Sequence, residues 1–277
     1  MRSIPLLVAF VALVAVPAAA PATSGAISTH GQIISIAGHK SGSSHNQSIN
    51  WFGYNQGSLE QGGKLFTSIT GDWTVPKATS HTPGQDQFSS DWIGIGGGCV
   101  DASCNVGDNT LIQTGTEQDL DSTGAASYSA WWEVIPAPSL AITDMTVGPG
   151  DHMHAAIAET VPDSNVWTIT LQDVTRNETF TMTVPYSSTH LTAEWIEETP
   201  LVIDTSGSGF AALPNLTKTP FDLATVNGAV ANLNASEEIQ LVDSNTNAVI
   251  GDPSAPDKDV DGFAACAWAT TCKAPSS

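Results

Sequence analysis

From residue 50 onward, apolar and polar positions alternate in short runs broken by Gly, Pro, Asn and Asp. Trp167, Ile169 and Leu171 stand against Thr168, Thr170 and Gln172, and Phe180, Met182 and Val184 against Thr181 and Thr183. A period of two puts successive side chains on opposite faces of a β-strand, one face apolar and one wet. The pattern predicts strands over 65–75, 92–96, 110–117, 128–135, 153–160, 166–174, 179–184 and 191–197. No window carries a 3.6-residue period with caps, so helices to cover a parallel sheet are missing. The expectation is an all-β fold, an antiparallel two-sheet β-sandwich. No internal repeat or linker divides residues 50–277, which read as one domain.

The N-terminal stretch is written differently. Arg2, the apolar run from Ile4 to Val16 and the small residues Ala20-Pro21-Ala22 make residues 1–22 a secretory signal peptide, too short for a membrane anchor. The remainder is expected to be secreted, with no membrane association once the signal is removed. Residues 23–49 are rich in Ser, Gly and His around Ile33-Ile34-Ser35-Ile36 and read as a flexible N-terminal segment or a short propeptide. Four cysteines fall in two close pairs, and in an exported chain the economical pairing is Cys99–Cys104 and Cys266–Cys272. Their spacing does not suit zinc, and no metal or cofactor is expected.

Composition sharpens this picture. Of 277 residues, 28 are Asp or Glu and only 8 are Lys or Arg, a formal charge of −20, so at least 20 acids have no Lys or Arg to pair with. A field of that sign disfavours nucleic acids and anionic membranes as partners. Hydrophobic residues at 41% with 8 Trp exclude disorder. Below pH ~4 most surface carboxylates are neutral, so the chain is expected to be more stable in acid than at pH 7.

Strand periodicity gathers some of these acids beside large aromatics. Gln113, Gly115 and Glu117 share a face, as do Trp131 and Glu133, and Glu194 neighbours Trp195. Any one of them alone reads as a solvated strand position; together they outline a groove lined with Trp and carboxylates. The segments Trp92-Ile93-Gly94-Ile95-Gly96, Leu111-Ile112-Gln113-Thr114-Gly115, Tyr128-Ser129-Ala130-Trp131-Trp132-Glu133 and Ala193-Glu194-Trp195-Ile196-Glu197, after the opening Asn50-Trp51-Phe52-Gly53-Tyr54 and Thr74-Val75-Pro76, resemble in order the glutamic peptidases, or eqolisins, of family G1. The resemblance covers essentially the whole domain. It implies a concanavalin-like or jelly-roll-like sandwich and a monomeric, acid-active endopeptidase acting on proteins or peptides without a cofactor. It places the catalytic dyad at Gln113 and Glu194 and the supporting positions at Trp92, Glu117, Trp131 and Glu133. Glu117 stands where the family has Asp. Gly96 also stands where the family has Asp, and the loop 97–109 beyond it is longer and carries its own Cys pair; Asp91 and Asp101 are the acids in reach of replacing the missing one.

A Glu base and a Gln donor suit acid, because a carboxylate ionises above ~4.3 and an amide N–H persists at any pH. Two other classes use the same groove. A glycosidase would pair Glu133 or Glu117 with Glu194, and a carbohydrate-binding sandwich would keep the aromatics without needing Glu194; neither gives a reason for Gln113. His152-Met153-His154 reads as a solvated strand face, and Asp257-Lys258-Asp259-Val260-Asp261-Gly262, half of a calcium loop, as a turn into the last strand. No His has a Ser or Cys partner in a nucleophile motif.

Overall fold

The computed structural model describes residues 27–35, 45–204 and 207–276; the signal-peptide reading of 1–22 lies outside the described residues. Among the described residues regular structure is almost entirely strand, with one 3-10 turn at Ala235–Glu237. The strands that build the site and its support are β1 (Ile27–Thr29), β2 (Trp51–Gly57), β3 (Ser68–Thr74), β4 (Ser90–Gly96), β5 (Leu111–Leu120), β6 (Ala126–Val134), β7 (His152–Glu159), β8 (Val166–Asp173), β9 (Glu178–Pro185), β10 (Thr192–Glu198), β11 (Leu201–Asp204), β12 (Thr219–Val226), β13 (Glu238–Val242), β14 (Val249–Pro253) and β15 (Phe263–Ala267). Every strand expected from periodicity is present with slightly different ends.

Hydrogen-bonded neighbours run β9-β8-β7-β3-β12 and then, through β15 and β14, β13-β2-β10-β4-β5-β6. These two stretches are the layers of the sandwich, and the pairings within each are antiparallel. Between them lies one core, with Tyr54, Ile93, Ile95 and Trp195 from the second layer packed with Ile69, Trp73, Met153, Ile157, Trp167 and Ile169 from the first. Two indoles cross the gap. Trp195 Nε1 donates to Thr70 O at 2.8 Å and Trp73 Nε1 to Thr116 Oγ1 at 3.0 Å, so burial costs neither its hydrogen bond. Gly71 makes room for the first, since a Cβ there would lie 2.7 Å from Trp195 Cδ1.

In β8 and β9 alternate positions are wet, which is why their pattern is legible. In β2, β4 and β10 every position is buried. One face of those central strands looks into the core and the other into a covered cleft.

Both cysteine pairs are disulfides as expected, Cys99–Cys104 in the loop after β4 and Cys266–Cys272 joining β15 to the segment that follows it. The histidines of β7 depart from expectation. They do not simply face solvent: His152 Nε2 and His154 Nδ1 hold the two oxygens of Asp72 at 2.7 and 2.6 Å. Asp257 accepts from the backbone of Asp261 and Gly262 at 3.3 and 3.2 Å, a turn into β15, with Asp222 and Asp261 as its carboxylate neighbours.

On the core side, Asp91 of β4 and Glu197 of β10 are directly opposed and fully buried. Glu197 receives Gln118 Nε2 at 3.4 Å and Thr219 Oγ1 at 3.3 Å, whereas no donor reaches Asp91. Two carboxyls in that setting are stable only with a proton between them. Burial, opposed by these hydrogen bonds, lifts Glu197 to about 7, and burial with the Glu197 charge holds Asp91 well above the usual range. Burial likewise lifts Glu237 to about 7.

A carboxyl whose folded pKa is raised contributes stability below its ordinary value, lost as pH climbs through the raised one. The window here runs from about 4.5 to about 7, and each such group costs on the order of 3 kcal/mol when forced to ionise. Thermal melts should therefore give a higher Tm at pH 4 than at pH 7.5. Asp91→Asn, which offers Glu197 a neutral donor, should narrow the gap; equal Tm values for the wild type at the two pH values would refute this account.

Candidate active site

The antiparallel register lines up Asn55, Glu194, Gly94, Gln113 and Glu133 as one row across β2, β10, β4, β5 and β6. Directly paired residues point to the same side of a sheet, so all five share the face turned away from the core. Gly94 contributes no side chain, which leaves Glu194 and Gln113 facing each other across it. A Cβ at 94 would lie 2.9 Å from Trp92 Cζ3 and 3.0 Å from Leu111 Cδ1, so this position has no space for one. The next row along the face is Ile196, Trp92, Gly115 and Trp131, and the row after it is Trp51, Glu198, Ser90, Glu117 and Ser129.

Within the first row the amides are committed. Gln113 Nε2 donates to Glu133 Oε2 at 2.8 Å, leaving its second N–H and its unpartnered Oε1 for the cleft. Asn55 spends both ends on Cys99, accepting from its N and donating to its O, each at 2.8 Å. Neither oxygen of Glu194 has a hydrogen-bond partner, and the side chain is fully buried. Buried unpartnered polar atoms are uncommon and each needs a physical reason, a catalytic role being one of them. Burial raises Glu194 well above the ordinary carboxyl, and the charge of Asp108 reinforces it. Burial also lifts Glu133 to about 7, against the pull of the His30 charge and the Gln113 hydrogen bond.

The loop after β4 presses onto this row. Gly98 approaches so closely that a Cβ would fall 1.7 Å from Asn55 Oδ1 and 2.5 Å from Glu194 Oε1. Asp108 is tied into the same loop by its N–H to Gly98 O at 2.9 Å, and its carboxylate accepts from Thr110 and Thr189. Gly96 sits at φ 95° with its missing Cβ 2.2 Å from Thr110 O, so no carboxylate fits there. Neither acid considered as a replacement takes that place: Asp91 lies on the core face, and Asp101 caps its own turn by accepting from Asn105 N and Val106 N at 2.9 Å. Asp108 is the acid this loop brings toward Glu194, and no motif in the sequence marks it.

The supporting residues line the neighbouring rows. Trp92 Nε1 donates to Glu198 Oε2 and Trp131 Nε1 to Ser90 Oγ, both at 3.0 Å. Glu117 accepts from Ser129 at 3.2 Å and from Ser28 at 2.8 Å. His30, unremarkable in sequence, stacks on Trp131 with ring centroids 3.7 Å apart. A separate hollow of about 630 Å³, lined by Phe88, Phe210 and Asp243 among others, contains none of the row residues.

A sequence profile of the peptidase A4 family matches residues 49–261. Among solved structures, the chain is similar to scytalido-glutamic peptidase bound to a transition state analog inhibitor: TM-score 0.61, 18% identity, covering 79% of this chain and 98% of that one. It is also similar to SCP-B, an eqolisin in complex with the tripeptide Ala-Ile-His (TM-score 0.56, 18% identity, 79% and 98% coverage). Aspergilloglutamic peptidase from Aspergillus niger aligns with a TM-score of 0.50 and 22% identity over 65% of this chain and 99% of that one. At these identities the likeness speaks for the fold. No curated protein matches in sequence.

The closeness of Gly98 is testable by stability alone. Gly98→Ala should destabilise by roughly 1–3 kcal/mol, as overpacking does, whereas Gly209→Ala, with nothing within 4 Å of its Cβ, should stay within about 0.5 kcal/mol. Urea titrations that gave both variants the wild-type midpoint would show that the loop does not bear on Glu194.

Proposed function

Because the chain belongs to the peptidase A4 family and is a glutamic-type endopeptidase, we propose that Gln113 and Glu194 carry its reaction, the hydrolysis of peptide bonds in proteins or peptides by a secreted enzyme at acidic pH. The observation behind this reading is the register that sets the two side chains opposite each other across Gly94. In the reaction, ionised Glu194 takes a proton from a water as its oxygen adds to the scissile carbonyl. The N–H of Gln113 not used by Glu133 donates to the oxyanion that forms. Glu194 then returns the proton to the leaving nitrogen as the C–N bond breaks, giving a carboxyl group and an amine. Glu133 holds the amide of Gln113 in orientation, and Trp92, Trp131 and Glu117 wall the groove that takes the peptide.

The raised pKa of Glu194 has burial as its largest cause. Water reaching an open cleft removes that cause and returns the group toward its ordinary range, where it ionises in mild acid. Export is supported by the N-terminal signal pattern and by two disulfides. Among the described residues no helix is long and apolar enough to cross a membrane. The chain is proposed to act as a monomer without metal or organic cofactor. A glycosidase pairing of Glu133 with Glu194 is disfavoured. Two strands intervene, one of them supplying the Gln113 that Glu133 binds. The two backbones are thus about 14 Å apart, a poor start for the ~5–9.5 Å between glycosidase carboxyls.

Digestion of a denatured protein across pH 2–7 tests the assignment. Gln113→Ala and Glu194→Gln should each fold and lose about 10²-fold or more in kcat. Glu133→Gln, which still accepts from Gln113, should lose less than about 10-fold and Glu133→Ala more than that, mainly in kcat. Pepstatin should have no effect. Substantial activity in folded Glu194→Gln would remove Glu194 from the mechanism.

A further inference from the structure

Three carboxylates meet on the outer face of the first layer, with the whole sandwich between them and the row of Gln113 and Glu194. Phe221 of β12 pairs with Phe263 of β15 and with Trp73 of β3, and all three side chains belong to the core. The next residues along, Asp222 and its partner Asp72, therefore point outward. The loop 257–262 enters β15 beside Asp222. Asp222, Asp257 and Asp261 each bring one carboxylate oxygen to the same place, and these oxygens lie within 4.8 Å of one another, the one such group of three among the described residues. Gly262 leaves the space they share, since a Cβ there would fall 2.3 Å from Asp257 Oδ2 and 3.1 Å from Asp222 Oδ1.

Two oxygens of this group lack a partner within the protein. Asp257 is only 8% exposed; its Oδ1 accepts from the loop amides of Asp261 and Gly262, and no donor reaches its Oδ2. Asp261 Oδ1 is buried and has no donor either. None of the described ion pairs includes a member of the group. Burial, then the charges of Asp259, Asp222 and Asp257, push the Asp261 carboxyl up. Burial and the charges of Asp259 and Asp222 push Asp257 up, against the pull of its loop amides. The fold therefore gathers like charges that no side chain of its own offsets. Asp91 and Glu197 answer the same problem by sharing a proton where nothing else can enter, whereas Asp222 is exposed and opens this group to ions from solution.

We propose that Asp222, Asp257 and Asp261 form a calcium site that ties the loop 257–262 to β12. The ligands are all carboxylate oxygens, the set a hard cation takes, with no His or Cys among them to favour a transition metal. Oxygens on opposite sides of a Ca²⁺ ion stand about 4.6–5.2 Å apart, so the group fits within one coordination shell, which water completes. The sequence supports the same ion. Asp257, Asp259, Asp261 and Gly262 keep the spacing of the first half of a calcium loop, but Trp268 stands where that loop has its last carboxylate. Asp222 makes up the loss from a neighbouring strand, which is why the loop alone reads as a plain turn. Three carboxylates open to solvent on one side suit the weak class of extracellular calcium sites, with a Kd of about 10⁻⁴–10⁻³ M. The ion is structural and takes no part in the hydrolysis, so this inference stands whether or not Gln113 and Glu194 are the dyad.

The test is equilibrium dialysis of the full chain against calcium chloride at pH 7 in 0.15 M sodium chloride, the salt screening the net charge of −20. The wild type should bind one ion per chain with a Kd of about 10⁻⁴–10⁻³ M, and Asp257→Asn and Asp261→Asn should each bind about 10-fold more weakly or worse. Asp144→Asn, which removes an exposed acid elsewhere, should bind as the wild type does. Melts in EDTA check that each variant folds. In the same salt, 10 mM calcium should raise the wild-type Tm by about 3 °C or more over EDTA and leave that of Asp261→Asn unmoved. No calcium bound by the wild type at 5 mM, wild-type binding by both folded Asn variants, or magnesium bound as tightly as calcium would each overturn the site.

Discussion

One residue without a side chain governs the geometry of the site. Strands in a sheet are about 4.8 Å apart, so β10 and β5, separated by β4, hold their backbones about 10 Å from each other. That gap suits two long polar side chains reaching over a bare position, and Gly94 keeps it bare. With any larger residue there, the strands would persist but Glu194 and Gln113 would be walled apart. The same economy repeats at Gly98, where the loop after β4 comes to rest on Glu194 because nothing projects from it. Asn55 and Glu133 then tie down what remains loose: one clamps the loop, the other fixes the amide of Gln113.

The second constraint is charge. With 8 Lys and Arg for 28 acids, buried carboxyls in this sandwich have two kinds of partner. Some are met by histidine, as in Asp72 with His152 and His154 or Glu117 and Glu198 with His30. Arg176, on Asp151 and Asp173, is the exception among the described ion pairs. Others, led by Asp91 and Glu197, have no cation beside them and need a shared proton. Against burial, Glu117 and Glu198 lift His30 to about 10 and Asp72 raises His154, so these rings keep their charge further up the pH scale than a free imidazole. The carboxyl pair that shares a proton is the kind that weakens, as pH climbs through about 7, and a chain built this way is at ease where such carboxyls are protonated.

Much of this was legible in the sequence. Half-exposed strands such as β8 and β9 announce themselves by alternation, and the close cysteine pairs leave little choice of partner. The central strands β2, β4 and β10 are buried on both faces; short runs bounded by turn residues marked β4 and β10, whereas β2 showed only through its place in the ordered motifs. What the sequence hid is whatever depends on contacts between distant segments. His30 and Glu198 are 168 residues apart, and nothing local to His30 distinguishes it from the Ser, Gly and His around it. Asp108 is one acid among many in a long loop until Gly98 folds back against it. Asp91 falls on the wrong face for the site, a matter of register that one residue of slip would reverse.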